Sequence, residues 1–154
     1  VYGSSRFDLY VEAGERKIFI EVKGVTLEEG GVCRFPDAPS DRAVKHLEEL
    51  MRAGKEGYET YVFFVIQMKD VRYFTPNTET HPAFAEALAR AAAAGVKILA
   101  YDCTVEPDKI AIADPVDVVL GSPRLKESAE PLTAWFRENK RDLPWRKRMN
   151  AYRV

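Results

Sequence analysis

Two acidic residues and one lysine near the start of the chain have the types and spacing to bind a divalent cation and a phosphate. Asp8 lies in an alternating stretch, residues 5–12, and Glu21 and Lys23 lie in a second one, residues 17–23. Two carboxylates a few ångströms apart repel each other, so a cation between them stabilises both as anions. Mg²⁺ prefers oxygen ligands and retains several waters, which suits such a pair. A nearby lysine can hold a phosphate oxygen or orient the attacking water.

A tight hairpin would bring these residues together. Both stretches are rich in β-branched and aromatic residues, which predicts strands, and the connection between them contains a glycine suited to a tight turn. A two-residue loop at 14–15 sets Asp8 opposite Glu21, whereas a loop at 13–14 sets Asp8 opposite Phe19 and diagonal to Glu21. In both registers the three charged side chains share one face, because side chains alternate with period two. A three-residue loop would instead move Asp8 to the other face of the hairpin. The alternative interpretation of the whole motif is a surface hairpin that carries ordinary charged residues.

Five separated motifs occur in order along residues 1–120. They are SRFD (5–8), EVKGVTL (21–27), FPDAPSDR (35–42), KHLEEL (45–50) and GVKILAY (95–101). Together they resemble the C-terminal part of the sugar fermentation stimulation protein family (SfsA). The resemblance implies a restriction-endonuclease-like α/β fold of the PD-(D/E)xK type, with a mixed central sheet flanked by helices. It also implies nucleic-acid binding and metal-dependent phosphodiester hydrolysis, with Asp8, Glu21 and Lys23 as catalytic residues. Family members are also described as regulators that stimulate sugar fermentation.

The chain departs from the family pattern at its start and at one site position. Gly24 stands where family members often have Ser. The chain opens at Val1, so we expect the family's preceding barrel-like nucleic-acid-binding domain to be absent. An acidic residue that lies just upstream in the family, near the site, is expected to be absent with it.

Three further residues are accessory candidates, and two arginines are candidates for nucleic-acid binding. Gln67 ends an apolar strand, where the superfamily often places a polar residue beside the catalytic lysine; a polar strand end is the alternative. Asp37, in a Phe-Pro-Asp turn, either binds metal through water or stabilises the turn. Arg42 in a first helical turn is unfavourable for the helix dipole, which indicates an anionic partner unless Asp41 or Asp37 pairs with it. Arg42 and Arg6 are the predicted nucleic-acid contacts.

The histidines and cysteines are expected to be structural. His46 lies at the margin of a helical apolar stripe, where a packed or solvated residue is more common than a catalyst. His81 precedes Pro82 and is expected to belong to a helix start. Cys33 and Cys103 lie far apart without a Cys-x-x-Cys partner, which predicts buried thiols in a reducing compartment.

Composition predicts a cytoplasmic globular domain. The chain has 154 residues, of which 46% are hydrophobic, so it can bury one sizeable core. No apolar run approaches the roughly 18 residues of a membrane span, so no membrane partner is expected. Residues 1–121 hold 14 basic and 20 acidic residues, a net of −6, whereas residues 122–154 hold nine and four. An acidic body argues against a broad non-specific grip on DNA, although bound cations offset local carboxylates.

Strands and helices are expected to alternate after the hairpin. A short strand at 31–35 is followed by a helix capped by Ser40 or Asp41 that ends near Gly54 or Gly57. The core face of that helix consists of apolar residues at helical spacing: Val44, Leu47, Leu50 and Met51. The nearly continuous apolar run 61–66 is typical of a strand covered on both faces. A helix then begins at Pro82 and continues to Gly95, and a strand follows at 96–105. This order predicts a mixed sheet with helices on its faces.

The C-terminal segment is a different kind of sequence. Residues 1–121 are assigned to the nuclease-like domain, 122–130 to a polar linker and 131–154 to the start of a helical domain. The last segment combines a helix carrying Trp135 and Phe136 with an LPWR element (143–146), and resembles the start of an A/G-specific adenine DNA glycosylase. The catalytic Glu and Asp and the iron–sulfur cysteines of such an enzyme would lie beyond the sequence. A basic amphipathic tail is the alternative interpretation.

The sequence therefore predicts an enzyme, a nuclease dependent on Mg²⁺ or Mn²⁺ that cleaves DNA in preference to RNA and is linked to DNA repair through a fused glycosylase. Asp8 and Glu21 are the predicted metal ligands, with the carbonyl of Val22 as a third, and Lys23 steadies the phosphate or the nucleophile. The alternatives are a non-catalytic DNA-binding or regulatory module and a scaffold that positions the glycosylase. The sequence favours neither single- nor double-stranded nucleic acid as substrate and indicates no preferred nucleotide sequence. A homo-oligomer is compatible with it.

Overall fold

The computed structural model describes residues 2–3 and 5–121. Two compact units divide the chain, Val1–Leu120 and Gly121–Val154, and nearly all of the second lies outside the described residues. The predicted linker and glycosylase-like segment therefore lie outside them too. The elements of the described part are β1 (Leu9–Ala13), β2 (Arg16–Val25), β3 (Leu27–Glu29), β4 (Val32–Phe35), α1 (Asp41–Lys55), β5 (Glu59–Ile66), β6 (Tyr73–Pro76), α2 (Pro82–Ala93), β7 (Lys97–Glu106) and β8 (Lys109–Pro115).

Two sheets organise the described part of the chain. The larger sheet has the order β1-β2-β5-β7-β8, in which β2, β5 and β7 run parallel and the two edge strands run antiparallel to their neighbours. The smaller sheet has the order β3-β4-β6. The predicted mixed α/β architecture is confirmed, while its finer assignment to the restriction-endonuclease-like class stays a prediction.

The first hairpin has the two-residue turn that aligns the acidic residues. β1 and β2 pair across residues 14–15, with Leu9 opposite Ile20. The glycine of this turn has a φ of 63°, a conformation that glycine adopts at little cost. The ladder ends at the Leu9–Ile20 pair, and this register continued by one residue places Asp8 level with Glu21. The first of the two predicted registers is therefore the one observed.

The core lies between the larger sheet and the two helices. Along β5 the side chains alternate between buried and half-buried, with Val62, Phe64 and Ile66 fully buried on the helix side. The predicted cover on both faces is complete on this side and partial on the other, where the side chains are half-buried. The helices contribute further fully buried side chains: Leu47, Leu50, Phe84 and Leu88.

Both helices begin where local sequence signals predict. Ser40 is the N-cap of α1, and its hydroxyl oxygen accepts a hydrogen bond from the amide of Ala43 at 3.3 Å. Pro82 opens α2, directly after its N-cap residue His81. Strands β3, β6 and β8 are additions to the predicted set. β3 has only three residues, and β6 and β8 each end at a proline, which weakens the strand signal.

Neither α1 nor α2, the helices of the described residues, is long and apolar enough to cross a membrane.

Candidate active site

The carboxylate of Glu21 is buried between β2 and α1. Its side chain is 3% exposed, and its Oε1 atom accepts hydrogen bonds from Nζ of Lys23, at 2.6 Å, and from Nδ1 of His46. Its Oε2 atom is also buried but has no hydrogen-bond partner among the described residues. An anionic oxygen that is buried without a partner is costly, so this atom is a point where a cation would be stabilised.

Lys23 lies on the same face of β2 as Glu21, two residues further along the strand. Its side chain is 15% exposed, and its ammonium group carries three donors, of which Glu21 uses one. Nζ also lies 3.4 Å from Nδ1 of His46. That contact is not a second hydrogen bond, because Nδ1 must donate to Glu21, whose carboxylate can only accept. Donors therefore remain for an incoming anion.

Asp8 is held beside these residues through the main chain. It precedes β1, its side chain is exposed, and its Oδ2 atom accepts a hydrogen bond from the amide of Val22 at 2.8 Å. Val22 lies between Glu21 and Lys23 in β2, so the hydrogen bond fixes the Asp8 carboxylate at the middle of the Glu-x-Lys motif. Only one of its two oxygens is used in this bond.

His46, which the sequence predicts to be packed or solvated rather than catalytic, lies at the candidate site. The helical pattern placed it at the margin of the apolar stripe, whereas the structure buries it to 4% exposure against Glu21. The spacing to Leu50, one turn later on the buried face of α1, is the sequence signal that could have identified it. Nε of Arg42 donates a hydrogen bond to Nε2 of His46 at 3.4 Å, so Arg42 contacts His46 rather than Asp41.

Gln67 is not brought to the side chain of Lys23. A Cβ atom added at Gly24 would come within 2.8 Å of Nε2 of Gln67. Because successive side chains of a strand point to opposite faces, that direction is opposite to the side chain of Lys23. The amide of Gln67 therefore occupies the space that a side chain at position 24 would take.

Asp37 and Arg6 are both exposed. Oδ1 of Asp37 accepts a hydrogen bond from the amide of Ala38 at 3.0 Å, a local contact of the turn. This contact is the structural one of the two predicted roles for Asp37. A nucleic-acid contact by Arg6, and by Arg42 beyond its bond to His46, stays a prediction.

The groups available at this site suit a hard cation. Within residues 2–3 and 5–121, no three His, Cys, Asp or Glu side chains form a group that could hold a metal ion. A cation here would therefore take two carboxylates, main-chain oxygen and water, which is the ligand set of Mg²⁺ or Mn²⁺ rather than of zinc. The partnerless Oε2 of Glu21 fits such an ion.

A second charged cluster lies at the opposite end of the parallel strands. Glu59, at the start of β5, accepts a hydrogen bond from Nε of Arg16 at 2.5 Å and from Nζ of Lys97 at 3.2 Å. Arg16 and Lys97 open β2 and β7, so one carboxylate joins three neighbouring strands. Hydrogen bonds from Arg16 and then Lys97 lower the pKa of Glu59 to about 2. Its charge is fully paired, which indicates a structural role.

A third cluster surrounds Asp102, at the end of the pairing between β5 and β7. Oδ1 of Asp102 accepts hydrogen bonds from the amide of Asp114 at 2.8 Å and from Nζ of Lys69 at 3.0 Å. Burial opposes ionisation, but the hydrogen bonds from Asp114 and Lys69 outweigh it and lower the pKa of Asp102. Nζ of Lys69 also contacts Asp114 at 2.5 Å. These groups satisfy one another and are structural.

The two cysteines are buried free thiols, as predicted. Burial raises the pKa of Cys33 to about 11 and also raises the pKa of Cys103. Thiols with raised pKa values carry little thiolate at neutral pH, so neither is suited to nucleophilic chemistry.

Comparisons with known proteins point to one family. The family model described as "Sugar fermentation stimulation protein RE domain" matches residues 1–109. A sugar fermentation stimulation protein homolog of Desulfitobacterium hafniense (strain Y51) is 62% identical over 119 residues, which are 77% of this chain and 52% of that protein. The homolog of Clostridium beijerinckii is 59% identical over 119 residues, which are 77% of this chain and 53% of that protein.

A solved structure shares the fold. The structure of Pyrococcus furiosus SfsA in complex with Ca²⁺ has a TM-score of 0.73 and 32% sequence identity, and covers 77% of this chain and 52% of its own. The chain thus spans about half the length of the relatives it matches. The family match ends at residue 109, so the glycosylase resemblance of residues 131–154 stays a prediction.

Proposed function

Because this chain belongs to the sugar fermentation stimulation protein family, we propose that it carries the active site of a divalent-metal-dependent nuclease. Its substrates are nucleic-acid phosphodiesters, DNA in preference to RNA. One observation carries the proposal: Oε2 of Glu21 is a buried oxygen without a hydrogen-bond partner among the described residues, beside the ammonium of Lys23. Such an arrangement offers one negative oxygen to a cation and one positive group to a phosphate.

The structural similarity to the Pyrococcus furiosus protein supports the proposal that this chain binds a divalent cation. That protein was solved in complex with Ca²⁺. Ca²⁺ and Mg²⁺ both take oxygen ligands, and carboxylates are common among them. A shared fold at 32% identity, together with the oxygen groups of Asp8 and Glu21, supports divalent-cation binding by this chain.

Asp8 and Glu21 are the residues that would hold Mg²⁺ or Mn²⁺, with the carbonyl of Val22 as a third protein ligand. Lewis-acid polarisation of a phosphodiester oxygen is the chemistry that such an ion supplies when bound. Asp8 contributes a carboxylate that the amide of Val22 already orients. Glu21 contributes an oxygen that is already stripped of water, so little reorganisation is needed on binding.

Lys23 acts on the substrate side of the site. Its bond to Oε1 of Glu21 fixes the ammonium in place and leaves two N–H groups for other acceptors. Those groups can hold a non-bridging phosphate oxygen or orient the attacking water. A fixed charge stabilises the developing negative charge more than a mobile one does, because no reorganisation is required during the reaction.

For the whole protein we also propose a link to DNA repair and a cytoplasmic location. A link to DNA repair rests on the resemblance of residues 131–154 to a glycosylase, and a cytoplasmic location rests on composition. Nucleic acid is the proposed partner, and we propose no membrane partner.

Cleavage assays on the 154-residue chain test the nuclease proposal. Circular duplex DNA, single-stranded DNA and RNA would each be incubated with Mg²⁺, Mn²⁺, Ca²⁺ or EDTA. We expect Mg²⁺ or Mn²⁺ to support cleavage, EDTA to abolish it and Glu21→Gln to remove it. Asp108→Asn is the matched control, because Asp108 is an exposed acid in the turn between β7 and β8, at the far edge of the sheet. Absence of cleavage with every substrate and metal would refute the nuclease.

A non-catalytic DNA-binding or regulatory module is the second candidate. The net charge of −6 over residues 1–121 favours a regulatory module that makes only a limited contact with DNA, because extended contact with the phosphates would be repulsive. Mobility-shift assays distinguish the candidates. Retarded DNA without cleavage under any metal condition would select the regulatory module.

A further inference from the structure

His46 makes a contact with Glu21 that fixes the position of its ring protons. Nδ1 of His46 lies against Oε1 of Glu21, and a carboxylate can only accept, so Nδ1 carries the hydrogen. On the other side of the ring, Nε of Arg42 donates to Nε2 at 3.4 Å. A guanidinium has no acceptor, so Nε2 presents its lone pair. The two contacts select the Nδ1–H tautomer of a neutral imidazole.

The bond from His46 also determines which oxygen of Glu21 is available. Lys23 and His46 both donate to Oε1, so the carboxylate is held from one side. Oε2 is left buried and without a hydrogen-bond partner among the described residues. The carboxylate cannot turn to satisfy Oε2 without breaking two hydrogen bonds.

We infer that His46 is a positioning residue, which donates from Nδ1 to Oε1 of Glu21 so that Oε2 is presented to a divalent cation. The inference rests on the metal role proposed for Glu21. His46 does not touch the cation or the substrate; it acts through Glu21. Hydrogen-bonded partners of metal-ligating carboxylates typically contribute 10- to 100-fold in metal affinity or activity.

A purely structural role for His46 is the competing explanation. Its ring packs edge-on against Phe7, with ring centroids 6.3 Å apart, and fills space on the buried face of α1. A packing role needs the shape of the ring but not a donor at Nδ1. The two explanations therefore differ in the tautomer and in the effect of restoring a donor.

His81 is an internal reference for the tautomer. The chain has two histidines. The amide of Ser40 donates to Nδ1 of His81 at 3.1 Å, so in His81 Nδ1 carries the lone pair and Nε2 carries the hydrogen. The two histidines of one chain should therefore show opposite tautomers.

The first measurement is a ¹⁵N-resolved imidazole NMR spectrum of the 154-residue chain. The ¹⁵N shifts distinguish a ring nitrogen that carries a hydrogen from one that carries a lone pair. We expect Nδ1–H for His46 and Nε2–H for His81. This spectrum needs no variant, so it does not depend on whether a substituted protein folds. An Nε2–H tautomer at His46 would overturn the inference.

The second measurement is calorimetric titration with Mn²⁺ of the wild type and two variants. His46→Leu fills similar space without a donor, and its affinity should fall about 10- to 100-fold. His46→Asn places an amide N–H near the position of Nδ1 and should recover most of that loss. An unchanged His81 resonance shows that each variant is folded. Wild-type affinity in His46→Leu, or equal losses in both variants, would overturn the inference.

Mn²⁺ binding and cleavage together distinguish failure of the inference about His46 from failure of the proposed nuclease function. If Mn²⁺ binding follows the expected order of variants but no nucleic acid is cleaved, the nuclease is refuted and the role of His46 stands. If the His46→Leu protein cleaves DNA at the wild-type rate and binds Mn²⁺ equally well, the nuclease stands and the role of His46 is refuted. A wild-type chain that binds no divalent cation would refute the metal role of both residues.

Discussion

The imidazole of His46 and the carboxylate of Glu21 are hydrogen-bonded in the interior, although they lie 25 residues apart in the sequence. The contact joins the buried face of α1 to β2 at the point where the Glu-x-Lys motif occurs. Packing of the helix on the sheet and arrangement of the site are therefore coupled. A change that shifts α1 would also move the carboxylate proposed to bind the metal.

Lys23→Ala is expected to remove most metal-dependent cleavage. Loss of one preorganised charge from such a site commonly lowers the rate on the order of a hundredfold or more. Its fold should persist, since Lys23 contributes no core side chain. The rate of DNA cleavage measures the effect, and Lys17→Ala, an exposed lysine on the same strand, is the matched control. Equal rates for Lys23→Ala and wild type would exclude Lys23 from the chemistry.

Asp8→Asn is expected to weaken Mg²⁺ and Mn²⁺ binding while preserving the hairpin. The amide oxygen of Asn can still accept from the main chain of Val22, so the substitution removes charge and leaves that hydrogen bond in place. Cation affinity depends on the number of ligand charges, and we expect a loss of about tenfold or more. Calorimetry on wild type, Asp8→Asn and the control Asp108→Asn would measure it. Unchanged affinity in Asp8→Asn would remove Asp8 from the ligand set.

Glu59 should make stability depend on pH under acidic conditions. Its pKa is lowered from an ordinary value of 4.5 to about 2, so the ionised form is favoured in the folded state. The stabilisation is present above about pH 4.5 and is lost as the pH falls towards 2. Glu59→Gln should therefore have a lower Tm than wild type near neutral pH, and the difference should shrink on acidification.

Circular dichroism melts at a series of pH values would measure this difference. Glu79→Gln, at an exposed turn position, is the control and should leave the pH profile of Tm unchanged. A constant difference in Tm between wild type and Glu59→Gln down to acidic pH would contradict the assignment.

Deletion of residues 123–154 is expected to leave the Tm nearly unchanged. Both sheets and both helices of the described part are complete by Pro115, and the strand-like contacts of 116–119 follow directly. The first compact unit ends at Leu120. A thermal melt of the shortened chain tests this independence. A drop of many degrees would show that the tail contributes to the stability of the first unit and would contradict the fusion interpretation.

Local signals were sufficient to predict the hairpin and both helix starts. The turn glycine, the Ser40 cap and Pro82 each act within a few residues, so their effect can be recognised in a sequence. The register of Asp8 against Glu21 follows from the length of the turn and was one of two predicted alternatives.

Features that depend on packing between distant segments were harder to predict. The burial of His46 depends on how α1 lies on β2, which helical spacing alone left at the margin of the stripe. The position of Gln67 depends on where β5 ends, because one residue decides the face of the sheet. Pairing of β6 with β4 joins segments about 40 residues apart, and neither strand is long enough to be evident alone.

The residues that form the candidate site all come from one continuous segment, between Asp8 and His46. The later elements β5, β7 and α2 contribute much of the buried core, whereas α1 contributes both to the core and, through His46, to the site. Substitutions in β5, β7 and α2 can therefore change thermal stability at a distance from the candidate site, while substitutions in α1 act on both. Library mutagenesis confined to β5, β7 and α2 should yield variants of altered Tm with the cation affinity of the wild type, a separation that α1 does not permit.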